Sequence, residues 1–103
     1  MLIVDDEKEI RDLLKEKLEQ EHFLVITASG AEEAIILANK EKPDLILMDI
    51  AMQGIDGYAA CQKLKDDPNT EKIPVLFLTG KDLDPKSIIE RCQSLSAAGY
   101  ISK

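Results

Sequence analysis

The sequence predicts an α/β domain built on a parallel sheet that helices cover on both faces. Two observations carry that expectation. Short, near-continuous runs of branched apolar residues alternate with amphipathic stretches along the whole chain. The runs are apolar at consecutive positions, which suits strands buried on both sides. Strands separated by helices imply right-handed crossovers and therefore parallel neighbours. The length, 103 residues, holds one core and no second domain.

Each element has its own signature. Leu2-Ile3-Val4 is the first strand run, followed by Ile10, Leu13, Leu14 and Leu18 on one helical stripe among charged residues. Leu24-Val25-Ile26 is the second run, and Ala31, Ala34, Ile35 and Ala38 make a shorter stripe after Ser29-Gly30. Leu45-Ile46-Leu47-Met48 is the third and most apolar run, with Pro43 just before it. Tyr58, Cys61 and Leu64 mark a third helix, closed by Asp67-Pro68. Pro74 precedes the fourth run, Val75-Leu76-Phe77-Leu78. Asp84-Pro85 reads as an N-cap with proline in the first turn, leading into Ile88, Ile89, Cys92 and Leu95. Tyr100-Ile101-Ser102 is a weaker fifth run.

Composition excludes several classes of function. With 13 Lys+Arg against 20 Asp+Glu the formal charge is −7, the wrong sign for a nucleic-acid-binding surface. No apolar stretch approaches the ~18 residues that span a bilayer, and the opening MLIVDDE meets acids too soon for a signal peptide. His22 is the single histidine, and Cys61 and Cys92 lack a CxxC companion, so a zinc site is not expected. Both thiols read as small core residues of a protein in a reducing cytoplasm.

In open α/β sheets, ligands bind outside the carboxyl ends of the strands. The residues that end the runs are Asp5 and Asp6, then Asp49, Thr79 and Lys103. Three carboxylates at one edge repel one another, and a divalent cation resolves the conflict. Oxygen-only ligands favour Mg²⁺, which takes one or two carboxylates plus water and phosphate oxygens. A phosphoryl substrate follows, with Lys103 neutralising charge and the Thr79 hydroxyl donating to an equatorial oxygen. No Cys or His ends a run, so the nucleophile is a carboxylate. Asp49 is the candidate because it ends the central strand, and an aspartyl phosphate would be its product.

Taken singly, each of these residues has a plainer explanation. A strand-end Asp is usually a turn or cap residue, Asp5-Asp6 could merely complement a helix dipole, and Lys103 could be a solvated terminus. Their conjunction at four strand ends is what points to one site. Neither GxGxxG nor GxxxxGK[ST] follows the first run, so no nucleotide cradle is expected. A haloacid-dehalogenase-like phosphatase would carry a second Asp two residues after the nucleophile, where this chain has Ala51.

These residues, in this order, resemble the receiver domain of two-component response regulators. The carriers are LIVDDE at 2–7, PDLILMDIAMQGIDGY at 43–58, IPVLFLTGK at 73–81 and AAGYISK at 97–103. The resemblance implies a flavodoxin-like strand order, 2-1-3-4-5. It implies phosphorylation of Asp49 by a sensor histidine kinase, a phosphotransfer protein or a small donor such as acetyl phosphate. Asp6, Asp49 and the Ala51 carbonyl would ligate Mg²⁺, or Mn²⁺ in its place, with Asp5 acting mostly through water. Thr79 and Lys103 would contact the phosphoryl oxygens. Thr79 and Tyr100 would form a switch that alters the surface from Ile88 to Tyr100, to control an output domain or downstream protein. A dimer through the fourth helix and fifth strand is a further implied partner. Such a domain phosphorylates itself and is no turnover enzyme on external substrates. The alternative is a receiver-like docking module that works without phosphorylation.

Two departures from the family pattern stand out. Gln53 occupies the position where the family commonly has proline, which implies altered phosphorylation or hydrolysis rates. The family's sheet usually carries five helices, and residues 1–103 stop before the fifth, so a receiver truncated at that point is expected.

Overall fold

The computed structural model describes residues 1–50, 56–80 and 84–102. Nine elements alternate along the chain: β1 (Leu2–Val4), α1 (Lys8–Gln20), β2 (Ile26–Ala28), α2 (Ala31–Glu41), β3 (Ile46–Asp49), α3 (Gly57–Asp66), β4 (Val75–Thr79), α4 (Pro85–Ser94) and β5 (Gly99–Ser102). The strands form one sheet in the order β2-β1-β3-β4-β5, every pair parallel. The expected α/β class and the 2-1-3-4-5 order are both observed, with four helices among the described residues.

Strand alternation sorts the core into two layers. Leu2, Val4, Ile46, Met48, Val75 and Phe77 face α2, α3 and α4. Ile3, Leu47 and Leu78 face the other way, against Leu14 and Leu18 of α1. Small side chains let the helices of the first layer sit close: Ala31, Ala34 and Ala38 of α2 and Ala60 and Cys61 of α3 are buried. Caps fix where helices start. Asp56 accepts from the Ala59 amide at 2.8 Å, and Asp84 accepts from the Lys86 amide at 3.1 Å with Pro85 in the first turn.

Three local expectations are corrected. The second strand is Ile26–Ala28, not Leu24–Ile26. Its start is set by pairing, since Ile26 is in register with Leu2. Leu24 instead lies outside the strand, 90% exposed, with its carbonyl accepting from the Met1 amino group. Leu13 is 48% exposed although it lies on the predicted stripe of α1. Among the described residues α1 alone packs on that sheet face, so the flank of its stripe meets no second helix. Ile89 is 44% exposed, and α4 is anchored by Ile88 and Cys92. No described helix is long and apolar enough to cross a membrane.

The start of α3 lies close against the end of β3. The Gly57 amide donates to the Ile50 carbonyl at 3.0 Å. A Cβ at Gly57 would collide with the carbonyl oxygen of Asp49 and lie 2.9 Å from both the Asp49 carbonyl carbon and the Ile50 Cα. These are backbone atoms, which cannot rotate away. Glycine is therefore required here for close approach.

Two predictions follow from this packing. Gly57→Ala adds a better helix former, worth about 1 kcal/mol to a helix. The collision should nonetheless win, with a net loss of about 2 kcal/mol in urea melts; a gain in stability would contradict the packing. The second concerns the thiols. Burial pushes Cys61 up to about 11 and Cys92 also upward. Both thiols should resist a thiol reagent at pH 8 in the native state and react fully in urea. Because the folded value exceeds the unfolded one, the thiols' contribution to stability is intact below pH ~8.5 and fades as pH rises toward 11.

Candidate functional site

The sheet order reverses at β1: β2 lies on one side and β3 on the other. Ligands of open α/β sheets sit at such a switch point, outside the carboxyl ends. β1 and β3 run in register, Val4 beside Met48, so Asp5 and Asp49 leave the ends of neighbouring strands. Alternation from Ile3 to Asp5 and from Leu47 to Asp49 puts both carboxylates on the α1 side.

The structure brings Asp5, Asp6 and Asp49 together. Each offers a carboxylate oxygen, and these oxygens all lie within 4.8 Å of one another. Asp5 is fully buried, Asp49 is 2% exposed and Asp6 is exposed. For the buried pair Asp5 and Asp49, Coulomb repulsion at 4.8 Å or less comes to about 3.5 kcal/mol or more at an effective dielectric of ~20, before their other partners are counted. An all-oxygen, partly desolvated donor set of this kind fits a hard divalent cation such as Mg²⁺.

Asp5 is held at three points. Its amide donates to the Ala28 carbonyl at 3.2 Å, its Oδ1 accepts from the Glu7 amide at 2.9 Å, and its carbonyl accepts from Arg11 Nη1 at 2.7 Å. The plainer reading of Asp5 as a helix-end acid is thus correct for one oxygen, which satisfies an open N–H at the start of α1.

Thr79 ends β4 and is 2% exposed. By alternation it shares the α3–α4 face with Phe77, and Tyr100, in register with Phe77, belongs to that face too. Tyr100 is 36% exposed on the edge strand. On that face Phe77 meets the Tyr58 ring edge-on at 5.0 Å, and the Arg91 guanidinium lies 5.0 Å from the centre of the Tyr58 ring. Ala51, Gln53 and Lys103 lie outside the described residues.

Sequence reasoning missed two residues that shape the site, Arg11 and Gly57. A signal for Arg11 existed: side chains in a helix's first turn lean toward its N-terminus, and Arg11 follows the acidic pair by about one turn. Nothing local marks Gly57, whose constraint comes from β3.

The chain matches the family model for the response regulator receiver domain over residues 1–103. It is 44% identical over 82 residues to the response regulator PleD of Caulobacter vibrioides, covering 80% of this chain and 18% of that protein. It is 39% identical over 103 residues to the alkaline phosphatase synthesis transcriptional regulatory protein PhoP of Bacillus subtilis, covering all of this chain and 41% of that one. This chain thus spans less than half the length of either relative. Among solved structures, the N-terminal domain of a response regulator receiver protein from Methanoculleus marisnigri superposes with a TM-score of 0.89 at 39% identity, covering 99% of this chain and 81% of that one. With its strand order, its acidic switch point and a family match from end to end, this chain belongs to the receiver domains of two-component response regulators.

Proposed function

We propose that Asp49 is the phosphoacceptor of an Mg²⁺-dependent switch, fed by a sensor histidine kinase or phosphotransfer protein. The observation that carries this reading is the convergence of the Asp5, Asp6 and Asp49 oxygens within 4.8 Å at the strand ends. Asp5, Asp6, Asp49 and the Ala51 carbonyl would hold the ion. When bound, it offsets the carboxylate charge and that of the incoming phosphoryl group.

An Asp49 carboxylate oxygen attacks phosphorus in line with the donor bond. The new O–P bond forms as the P–N bond to a phosphohistidine, or the P–O bond of acetyl phosphate, breaks. The leaving group keeps the bonding electron pair. The Thr79 hydroxyl donates to one equatorial oxygen and the Lys103 ammonium pairs with another. Thr79 moves toward the phosphoryl group, and Tyr100 turns into the space it leaves. Support for that coupling is their shared sheet face and the exposed position of Tyr100. The readout is the surface from Ile88 to Tyr100, which acts on an output domain or downstream protein.

Acetyl phosphate with Mg²⁺ should add one phosphoryl group to the intact protein by mass, stable in acid and labile in base. The adduct should vanish in Asp49→Asn and with a chelator. No adduct from any donor would sink the reading and leave a docking module that works without phosphorylation. A second variant separates chemistry from switching. Thr79→Ala should still take the phosphoryl group, yet hydrogen exchange across α4 and β5 should no longer respond to it. An unchanged response would remove Thr79 from the switch.

A further inference from the structure

We infer that Arg11 is a positioning residue for the cation site: through the Asp5 carbonyl it fixes the peptide from which Asp6 projects. This inference rests on the acidic cluster being a cation site, as proposed above. Arg11 lies in the first turn of α1, its own amide bonded to the Glu7 carbonyl at 3.1 Å. Its guanidinium reaches back over that turn and donates from Nη1 to the Asp5 carbonyl at 2.7 Å, a partly buried and charge-assisted bond.

The Asp5 carbonyl belongs to the same planar unit as the Asp6 amide. On the near side this unit is tied to the sheet, because the Asp5 amide donates to Ala28 of β2. On the far side, the Glu7 amide is held by Asp5 Oδ1 at 2.9 Å. Asp6 thus sits between two anchored peptides, which set where its Cα–Cβ bond leaves the backbone. Asp5 and Asp49 are buried, whereas Asp6 is exposed. The guanidinium is the anchor that comes from outside this turn of backbone. It closes the loop between strand and helix, and it acts on the ligand set without being a ligand.

Charge alone makes the opposite prediction. A guanidinium beside a cation site repels the cation, so removing it would tighten binding. A positioning role requires that removing it weaken binding. Outer partners of metal ligands typically account for 10–100-fold in affinity. Arg11 acts one step further out, on backbone, so about tenfold is expected.

The test is Mn²⁺ binding to the full chain followed by electron paramagnetic resonance, on the parent protein, Arg11→Met and Arg11→Lys, each well below its melting temperature. The parent should bind Mn²⁺. Arg11→Met should bind about tenfold more weakly with an altered bound-Mn²⁺ spectrum, and Arg11→Lys, which keeps a charged donor, should recover part of the loss. Parent binding with equal or tighter binding by Arg11→Met overturns the positioning role alone. A parent that binds no Mn²⁺ overturns the cation site and this inference with it. Should Arg11→Met fail to fold, Arg11→Lys decides: a weaker affinity with a parent-like melt supports the role, and an unchanged affinity and spectrum overturns it.

Discussion

The close approach of the Asp5 and Asp49 carboxylates is the constraint on which the rest of the structure turns. Two buried carboxylates at the ends of adjacent strands oppose folding unless their surroundings answer them. The sheet brings them together because β1 and β3 are neighbours at the point where the strand order reverses, the place where open α/β sheets bind ligands. The apolar residues behind them, Ile3, Val4, Leu47 and Met48, hold the two strands in register. The buried apolar strands behind the carboxylates thus hold Asp5 and Asp49 at one point.

The neighbouring elements serve this point. α1 contributes Arg11 to the Asp5 carbonyl, and Glu7, the residue before the helix, donates its amide to the Asp5 side chain. α3 comes down on the Asp49 backbone at Gly57, where there is no room for a side chain. On the opposite face, Phe77 packs edge-on against Tyr58 and pairs in register with Tyr100. A well-packed interior passes displacement on instead of absorbing it. The switch proposed above, with its readout on α4 and β5, would depend on that property.

Most of the architecture was legible in the sequence because a two-sided parallel sheet imposes continuous apolar runs, and few other structures do. The runs locate strands better than they bound them. Leu24 belongs to the second run yet lies outside β2, because the register with Leu2 decides where pairing starts. The three carboxylates were legible because each ends a run, and run ends become one edge in a parallel sheet. Ile89 and Leu13 were misread because periodicity names a helix face without saying how much of it a partner covers. Arg11 and Gly57 escaped for a related reason. Each matters through one contact with backbone from another element, and neither contact has a periodic trace.

The most direct test of the cation site is the urea stability of the parent protein against Mg²⁺ concentration, beside that of Asp49→Asn. If the clustered carboxylates hold a divalent cation, the parent's unfolding free energy should climb with Mg²⁺, by about 2.7 kcal/mol at 100-fold the dissociation constant. Asp49→Asn should be more stable than the parent without Mg²⁺, since it removes a buried like charge, and should gain less as Mg²⁺ is added. A parent stability that does not respond to millimolar Mg²⁺, with Asp49→Asn no more stable in its absence, would contradict the account.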